Sequence, residues 1–380
     1  MQFTFFHLMP YRPLDMAERH KHKAAWVVLP NSLYDPKKGA DEYQSYIEQL
    51  VYAEKLGFDV IAVNEHHQTA YGLMPAPNLI AANLIARTTK AKIAIIGRAL
   101  PLVNNPVNIA EEFAMLDNLS RGRIITGFVR GIGNEYHSTG INPFYSHERF
   151  QEAHDLIVAA WTKPGPFPFE GEHFNIRYVN LWPRPYQKPH PPIWIPSQGS
   201  KETIDWASHP DRRYTYLQTF SPAKVVARYL GQYRATAKGY GYEAEDRQLG
   251  WAVPVYVGKD DESARREAKQ HFEAFRNVFV KMPLEMLLPP GYTSRESLKN
   301  VMKAKAQMFG DVTIDQAIEL GLFVCGGAAT VRRAFESYWK DMRFGNLLVM
   351  CQFGTLPADL TRGNMERFAR EVMPALKALH

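Results

Sequence analysis

The sequence predicts an α/β fold, a (β/α)8 TIM barrel formed by one domain spanning residues 1–380. Three observations carry this. Short β-rich apolar runs alternate with longer segments of helical periodicity, a pattern that implies parallel strands joined by helical crossovers. Eight strands, each followed by a helix, can be read along the chain. The length holds eight such units together with two irregular insertions. A doubly wound open sheet is the competing arrangement.

The elements follow in order. Phe3–Leu8 is the first strand. Asp41–Leu56 carries Tyr43, Ile47, Leu50, Val51 and Leu56 near helical spacing, and Gly57 ends it. The run Phe58–Val63 precedes helix Pro77–Thr89. Strand Lys92–Ile96 precedes a helix opened by Pro106, a residue tolerated in a first turn, and running to about Asn118. Strand Arg123–Val129 leads to helix Glu148–Trp161, Ile193–Pro196 to Lys201–Ser208, Tyr214–Gln218 to Pro222–Lys238, and Leu249–Val257 to Asp261–Val280. Helix Ala328–Asp341, strand Asn346–Cys351 and helix Thr361–Leu379 close the chain. Residues 162–192, before strand five, contain eight prolines among many aromatic residues, too apolar for a solvated linker, and read as an insertion lying over a surface. Residues 282–322, after strand seven, form a second irregular stretch around Pro289-Pro290-Gly291.

Composition excludes several classes. With 46% hydrophobic and 22% charged residues the chain is globular, not disordered or collagenous. A net charge of +6 (45 − 39) is mild over 380 residues; it suits an anionic ligand and argues only weakly for nucleic acid. Cys325 and Cys351 make no disulfide framework and no CxxC pair, which fits a reducing compartment. The first residues lack the basic region and cleavage site of a secretory signal, and no apolar run reaches the ~20 residues of a membrane span. A cytoplasmic protein with no nucleic-acid or membrane partner is expected.

In a barrel, catalytic residues sit at the C-terminal ends of the strands. Strand two ends in Glu65-His66-His67. Neighbours on an extended segment point to opposite sides, so one histidine faces the barrel axis and the other anchors a loop or contacts Glu65. Both histidines hydrogen-bonding loop backbone is the structural alternative. The pair lacks the i, i+4 spacing of a helical metal site, and no metal is expected. Strand three runs into Gly97-Arg98, where glycine permits close approach of a ligand or a simple bulge. Strand four ends in Arg130-Gly131-Ile132-Gly133, an arginine fork suited to an anion; with Tyr136 in the last position, the dinucleotide fingerprint GxGxxG is incomplete. After strand five, Gly199-Ser200-Lys201-Glu202-Thr203 opens a helix, which serves as an ordinary N-cap or, with Arg130, as a phosphate site. The basic run Arg19–Lys23 reads as a solvated loop. No GxSxG, P-loop or HExxH motif occurs.

Glu65-His66-His67 with Thr69 and Tyr71-Gly72, then Pro101, Asn105-Pro106-Val107, Ala110-Glu111-Glu112, Leu116-Asp117, Ser120-Arg121-Gly122-Arg123 and Val129-Arg130-Gly131, closely resemble bacterial luciferase and its relatives. Pro192–Trp206 and Glu366–Leu376 extend the resemblance over nearly the whole chain. The resemblance implies a luciferase-like flavin-dependent monooxygenase. Such an enzyme takes exchangeable reduced FMN from a separate flavin reductase, reacts it with O2 to a C4a-(hydro)peroxyflavin, and oxidises a small organic substrate. It also implies a homodimer, and variable insertions that include an active-site lid. His66 matches the family's catalytic histidine, flanked by Glu65 and His67. Gly97 matches the position whose unusual peptide bond supports the isoalloxazine ring, Arg130 the phosphate-gripping arginine, and Ser200 and Thr203 the hydroxyls at the same phosphate. Arg98, Tyr136 and Gly199 complete the candidate cofactor-binding set. Two departures stand out. Val129 replaces luciferase's reactive cysteine, so light emission is not expected. Asn104-Asn105 stand where several relatives have histidine, on a loop one residue longer than in luciferase. An F420-dependent dehydrogenase or reductase on the same barrel and a non-catalytic flavin-binding protein are the alternatives. Phe167, Phe169, Phe174, Trp182, Tyr186 and Trp194 are candidates to line an apolar pocket, or to serve as core.

Overall fold

The computed structural model describes residues 1–293 and 310–379. Its strands are β1 (Gln2–Phe6), β2 (Val60–Val63), β3 (Lys92–Ala99), β4 (Ile124–Val129), β5 (Phe167–Glu170), β6 (Asn175–Val179), β7 (Ile193–Ser197), β8 (Thr215–Thr219), β9 (Leu249–Gly258), β10 (Val324–Gly327) and β11 (Asn346–Met350). The barrel runs β1-β2-β3-β4-β7-β8-β9-β11 and closes on β1, with every pairing parallel. These are the eight strands read from the sequence. The expected (β/α)8 barrel is the fold, and the open sheet is excluded by closure through β9, which pairs with both β8 and β11.

Period-2 alternation builds the barrel in two layers. On β1 to β3, Phe3, Phe5, Ile61, Val63, Ile93 and Ile95 pack outward against the helices. Their neighbours Phe6, Val60, Ala62, Ala94 and Ile96 fill the interior. Both faces are therefore apolar, which is why the strands read as continuous hydrophobic runs.

At the middle of β3 the register jumps from Ile95↔Thr126 to Arg98↔Phe128, so Ile96 and Gly97 together oppose Gly127. The backbones touch there. A Cβ on Gly97 would lie 2.6 Å from the Gly127 carbonyl carbon, and one on Gly127 2.5 Å from the Ile95 carbonyl oxygen. The Ile96–Gly97 peptide is cis.

The motif Leu116-Asp117-x-x-Ser120-x-Gly122-Arg123 is scaffolding. Asp117 accepts from the Gln187 backbone N–H and side-chain amide, both at 2.8 Å. The Ser120 hydroxyl accepts from the Arg123 N–H at 3.2 Å. The Arg123 guanidinium donates to Thr88 Oγ1 and the Ala91 carbonyl. Helix Pro106–Ser120 is thereby fastened to its neighbours and to the segment entering β7.

Several features were not legible. Residues 162–192 contain the antiparallel hairpin β5–β6. β10 adds a parallel strand beside the C-terminal half of β9, from Val324↔Val255 to Gly327↔Gly258. Helix Asp261–Ala274 continues as a π-turn, Phe275–Phe279. In the second insertion, residues 294–309 lie outside the described residues; Leu284–Leu287 and Ile314–Glu319 are helical. Within the basic run, Arg19 is buried, donating to the His22 and Val278 carbonyls, because it ties its loop to the π-turn. No helix among the described residues is long and apolar enough to cross a membrane.

Two predictions follow from these contacts. Gly127→Ala places a methyl against backbone that cannot yield, and is expected to cost about 1–3 kcal/mol in chemical unfolding; an unchanged midpoint would contradict the contact. His7 is fully buried, with Nδ1 accepting from the Met9 N–H and Nε2 on Gln49 Oε1. Burial pushes its pKa down to about 3, the Gln49 bond opposing. The unfolded chain binds this proton near pH 6.5 and the folded chain does not, so stability falls as pH drops from 6.5 toward 3. His7→Gln is expected to flatten that acid limb in melting curves recorded between pH 7 and pH 4.

Candidate active site

The C-terminal strand ends open into a cavity of about 1230 Å3. Asn64, Glu65 and His66 following β2, Gly97 of β3, Arg130 following β4, and Gly199, Ser200 and Thr203 following β7 all line it. His67, Arg98 and Tyr136 do not.

Of the two histidines, His66 lines the cavity and His67 turns away to Glu65, one of the arrangements the sequence left open. His66 Nδ1 lies 3.0 Å from Glu135 Oε1. Glu135 is 1% exposed, and its other oxygen accepts the Ile132 N–H at 2.9 Å. A carboxylate only accepts, so neutral His66 carries its proton on Nδ1 and offers Nε2 as the remaining nitrogen. Trp26 meets the His66 ring edge-on at 5.2 Å and Tyr71 does so at 5.1 Å, the two stacking on each other at 4.9 Å. Trp26 Nε1 donates to the Phe279 carbonyl, pinning the loop after β1 to the π-turn.

Glu65 serves the scaffold. Its Oε1 accepts from His67 Nε2 at 3.1 Å and the Ala99 N–H at 3.4 Å; its Oε2 pairs with Arg98 Nε at 2.5 Å. The hydrogen bond that His67 donates to Glu65 raises the His67 pKa, against the opposing effect of burial. Arg98 also pairs with Glu112 at 2.7 Å, so its guanidinium joins β2 and β3 to a helix rather than reaching the cavity. Tyr136 donates its hydroxyl to the Arg130 carbonyl, holding the turn after β4.

The cationic end of the cavity is built around Arg130. Its Nη1 donates to Ser146 Oγ and to the Tyr292 carbonyl, each at 3.0 Å. His147, beside it, is pushed down to about 4, by burial first and then by the Arg130 charge. Gly199 has φ +98°, and a Cβ there would lie 2.1 Å from the Tyr229 ring, so only glycine fits. Ser200 Oγ accepts the Thr203 N–H at 3.3 Å, capping helix Lys201–Ala207, and donates to Glu202 Oε2 at 2.7 Å. Burial would raise the Glu202 pKa, but the Ser200 hydroxyl, with the charges of His147 and Arg130, holds it below its ordinary value. Ser200 is thus the N-cap of this helix, and the neighbouring Glu202 stands in the electrostatic reach of Arg130.

Glu135, Trp26, His147, Asn64 and Tyr292 were missed by sequence reasoning. Glu135 carried a usable signal, an acidic residue in the first turn of a short helix just past a strand end. Asn64 had none, yet its Oδ1 is buried without a hydrogen-bond partner among the described residues. The aromatic residues weighed as pocket or core, Phe167 to Trp194, do not line the cavity. Trp194 is core, and Trp182 and Tyr186 are exposed. Trp26, Tyr71, Phe220, Phe272 and Phe275 form its apolar wall instead.

Comparison with known proteins adds the family. The model for luciferase-like monooxygenases matches residues 23–343. An uncharacterised protein, y4wF, of Sinorhizobium fredii is 30% identical over 83% of this chain and 87% of its own length. The alkanal monooxygenase beta chain of Photorhabdus laumondii is 29% identical over 75% of this chain and 84% of its own. Among solved structures, monooxygenase RslO1 of Streptomyces bottropensis superposes with a TM-score of 0.75 at 22% identity, covering 99% of this chain and 100% of that one. The oxygenating constituent of 3,6-diketocamphane monooxygenase from Pseudomonas putida, a type II Baeyer–Villiger monooxygenase in complex with FMN, gives 0.73 at 18% identity, covering 98% of each chain. An F420-dependent secondary alcohol dehydrogenase gives 0.66 at 16% identity, covering 99% and 98%. At these identities the structures establish a shared fold. The match of the family model over most of the chain establishes more: this protein belongs to the luciferase-like monooxygenase family of oxidoreductases.

Proposed function

We propose that the chain is the oxygenating component of a two-component FMN-dependent monooxygenase, taking reduced FMN from a separate flavin reductase and oxidising a small organic substrate with O2. The observation that carries this reading is one cavity that joins an end built on the Arg130 guanidinium, beside His147 and the Ser200 turn, to a buried His66–Glu135 pair inside an aromatic wall.

The residues present fit FMN. Arg130 keeps Nε and Nη2 for a phosphate, since its described bonds use Nη1. Ser200 and Thr203 line the same cavity, and Ser200 would turn its hydroxyl from Glu202 to donate to a phosphate. Gly97 presents bare backbone to the cavity, where a flat ring can approach closely. Bound there, the flavin would supply the redox chemistry; the chain binds it, orients it and keeps water out. Glu135 fixes the tautomer of His66, whose Nε2 accepts or returns a proton of the bound reactants. Trp26, Tyr71, Phe220 and Phe275 close the reacting region with apolar surface, which suppresses water and strengthens the electrostatic contacts that remain.

An anaerobic titration with reduced FMN and reduced F420 in parallel, followed by oxygenated buffer, decides the cofactor. Preference for reduced FMN with oxygen consumption is expected; preference for F420 without it would overturn the reading. Arg130→Gln is expected to weaken FMN binding roughly 10- to 100-fold while leaving riboflavin binding unchanged. His66→Ala is expected to lower product per flavin oxidised by about 100-fold or more, with the flavin dissociation constant within about threefold of wild type. Glu135→Gln, which keeps shape but loses the acceptor charge, is expected to give a product loss of about tenfold or more with flavin affinity intact. Normal product yield in either variant would remove the pair from the mechanism.

A further inference from the structure

The described part of the second insertion does not hang free; it is docked on the residues that follow β4. Pro289-Pro290-Gly291-Tyr292 is a tight turn, the Tyr292 N–H donating to the Pro289 carbonyl at 3.0 Å and Gly291 adopting φ +86°. A type II turn requires a positive φ at its third position, which Gly291 supplies, and favours proline at its second, where Pro290 stands. The turn is held from below. A Cβ on Gly133 would lie 2.2 Å from Pro289 and 2.4 Å from the Leu287 carbonyl, so the segment sits directly on the helix that carries Glu135.

This rigid turn presents Tyr292 to Arg130 in four ways. The Tyr292 carbonyl accepts from Arg130 Nη1 at 3.0 Å. Its ring lies under the guanidinium, 4.4 Å from Cζ to the centroid. Its hydroxyl donates to the Gly131 carbonyl at 2.6 Å. Its ring edge meets Tyr136, 5.5 Å between centroids, and Tyr136 in turn holds the Arg130 carbonyl. An arginine side chain otherwise samples many rotamers, and ordering it on binding costs affinity. Here one nitrogen and one face are already committed, and the fork that remains is aimed by them.

We propose that Tyr292 is a positioning residue for the phosphate-binding arginine: the insertion's turn preorganises Arg130 for the phosphate of the flavin nucleotide, so that cofactor affinity depends on a residue outside the barrel. The proposal rests on the reading of Arg130 as the phosphate anchor. Tyr292 contributes through the arginine and not by touching the phosphate, because its backbone oxygen and ring face repel an anion.

The test compares dissociation constants of oxidised FMN and riboflavin, read by flavin fluorescence, in wild type, Arg130→Gln, Tyr292→Phe and Tyr292→Ala. Wild type is expected to prefer FMN, and Arg130→Gln to lose that preference. Tyr292→Ala is expected to weaken FMN about tenfold with riboflavin unchanged, the scale of one desolvated cation–π contact. Tyr292→Phe, which keeps the ring and the carbonyl, is expected to stay within about threefold of wild type. If wild type shows no preference for FMN, or Arg130→Gln retains it, the anchor itself is elsewhere and the proposal goes with it. If the anchor behaves as read but Tyr292→Ala binds FMN as wild type does, or more tightly, positioning by Tyr292 is wrong. An equal loss for riboflavin and FMN also overturns it, making Tyr292 a wall of the cavity.

Discussion

The backbone contact between β3 and β4 at Gly97 and Gly127 is the constraint on which the site depends. No side chain fits at either position, so the two strands approach until Ile96 and Gly97 share one partner residue. That extra residue shifts the alternation of β3. Beyond it, Arg98 points to Glu65 and Glu112 instead of the cavity, the Ala99 N–H reaches Glu65, and Gly97 is left bare at the cavity surface. Glu65 then fixes the turn after β2, and with it the direction of His66. One steric condition thus sets the orientation of two strand ends.

Charge in the cavity is distributed by role. Each buried carboxylate near it has its partners: Glu65 holds Arg98 and His67, and Glu135 holds His66 and the Ile132 N–H. Burying a carboxylate unpaired would cost several kcal/mol, so these two are fixed in place by their own desolvation. Arg130, whose described bonds use only Nη1, is a cavity-lining cation with donors to spare, in chemical contrast to the aromatic wall. A ligand with an anionic tail and a flat apolar body, such as the proposed flavin nucleotide, would be matched by this gradient.

The second insertion belongs to the site rather than decorating it. Its turn at Pro289–Tyr292 packs on Gly133 and stacks on Arg130, and its helix-bearing neighbour, the π-turn at Phe275–Phe279, anchors Trp26. Three chain segments far apart in sequence therefore converge on the residues following β2 and β4.

The barrel was legible because its determinants are local. Alternating apolar runs, proline at helix starts and glycine after helix ends each act within a few residues, and both faces of a parallel strand are buried whatever its neighbours. The motif from Leu116 to Arg123, the most specific sign of the family, joins a local bond that closes a helix and starts a strand to longer-range bonds that tie the helix to Thr88, Ala91 and Gln187. That His66 and Arg130 would line the cavity was legible because strand ends are where a barrel opens its site. Other assignments needed the folded chain. Arg98 and Tyr136 lie at strand ends and yet bond to Glu65, Glu112 and the Arg130 carbonyl, since a bulge and a turn redirect them. Glu135, Trp26 and Tyr292 come to the site from a helix, a loop and an insertion, and their contacts span 69, 40 and 162 residues along the chain. Hydrophobic periodicity by itself determined the architecture; which polar groups meet inside it was decided by tertiary packing, because partners that distant leave no local trace in sequence.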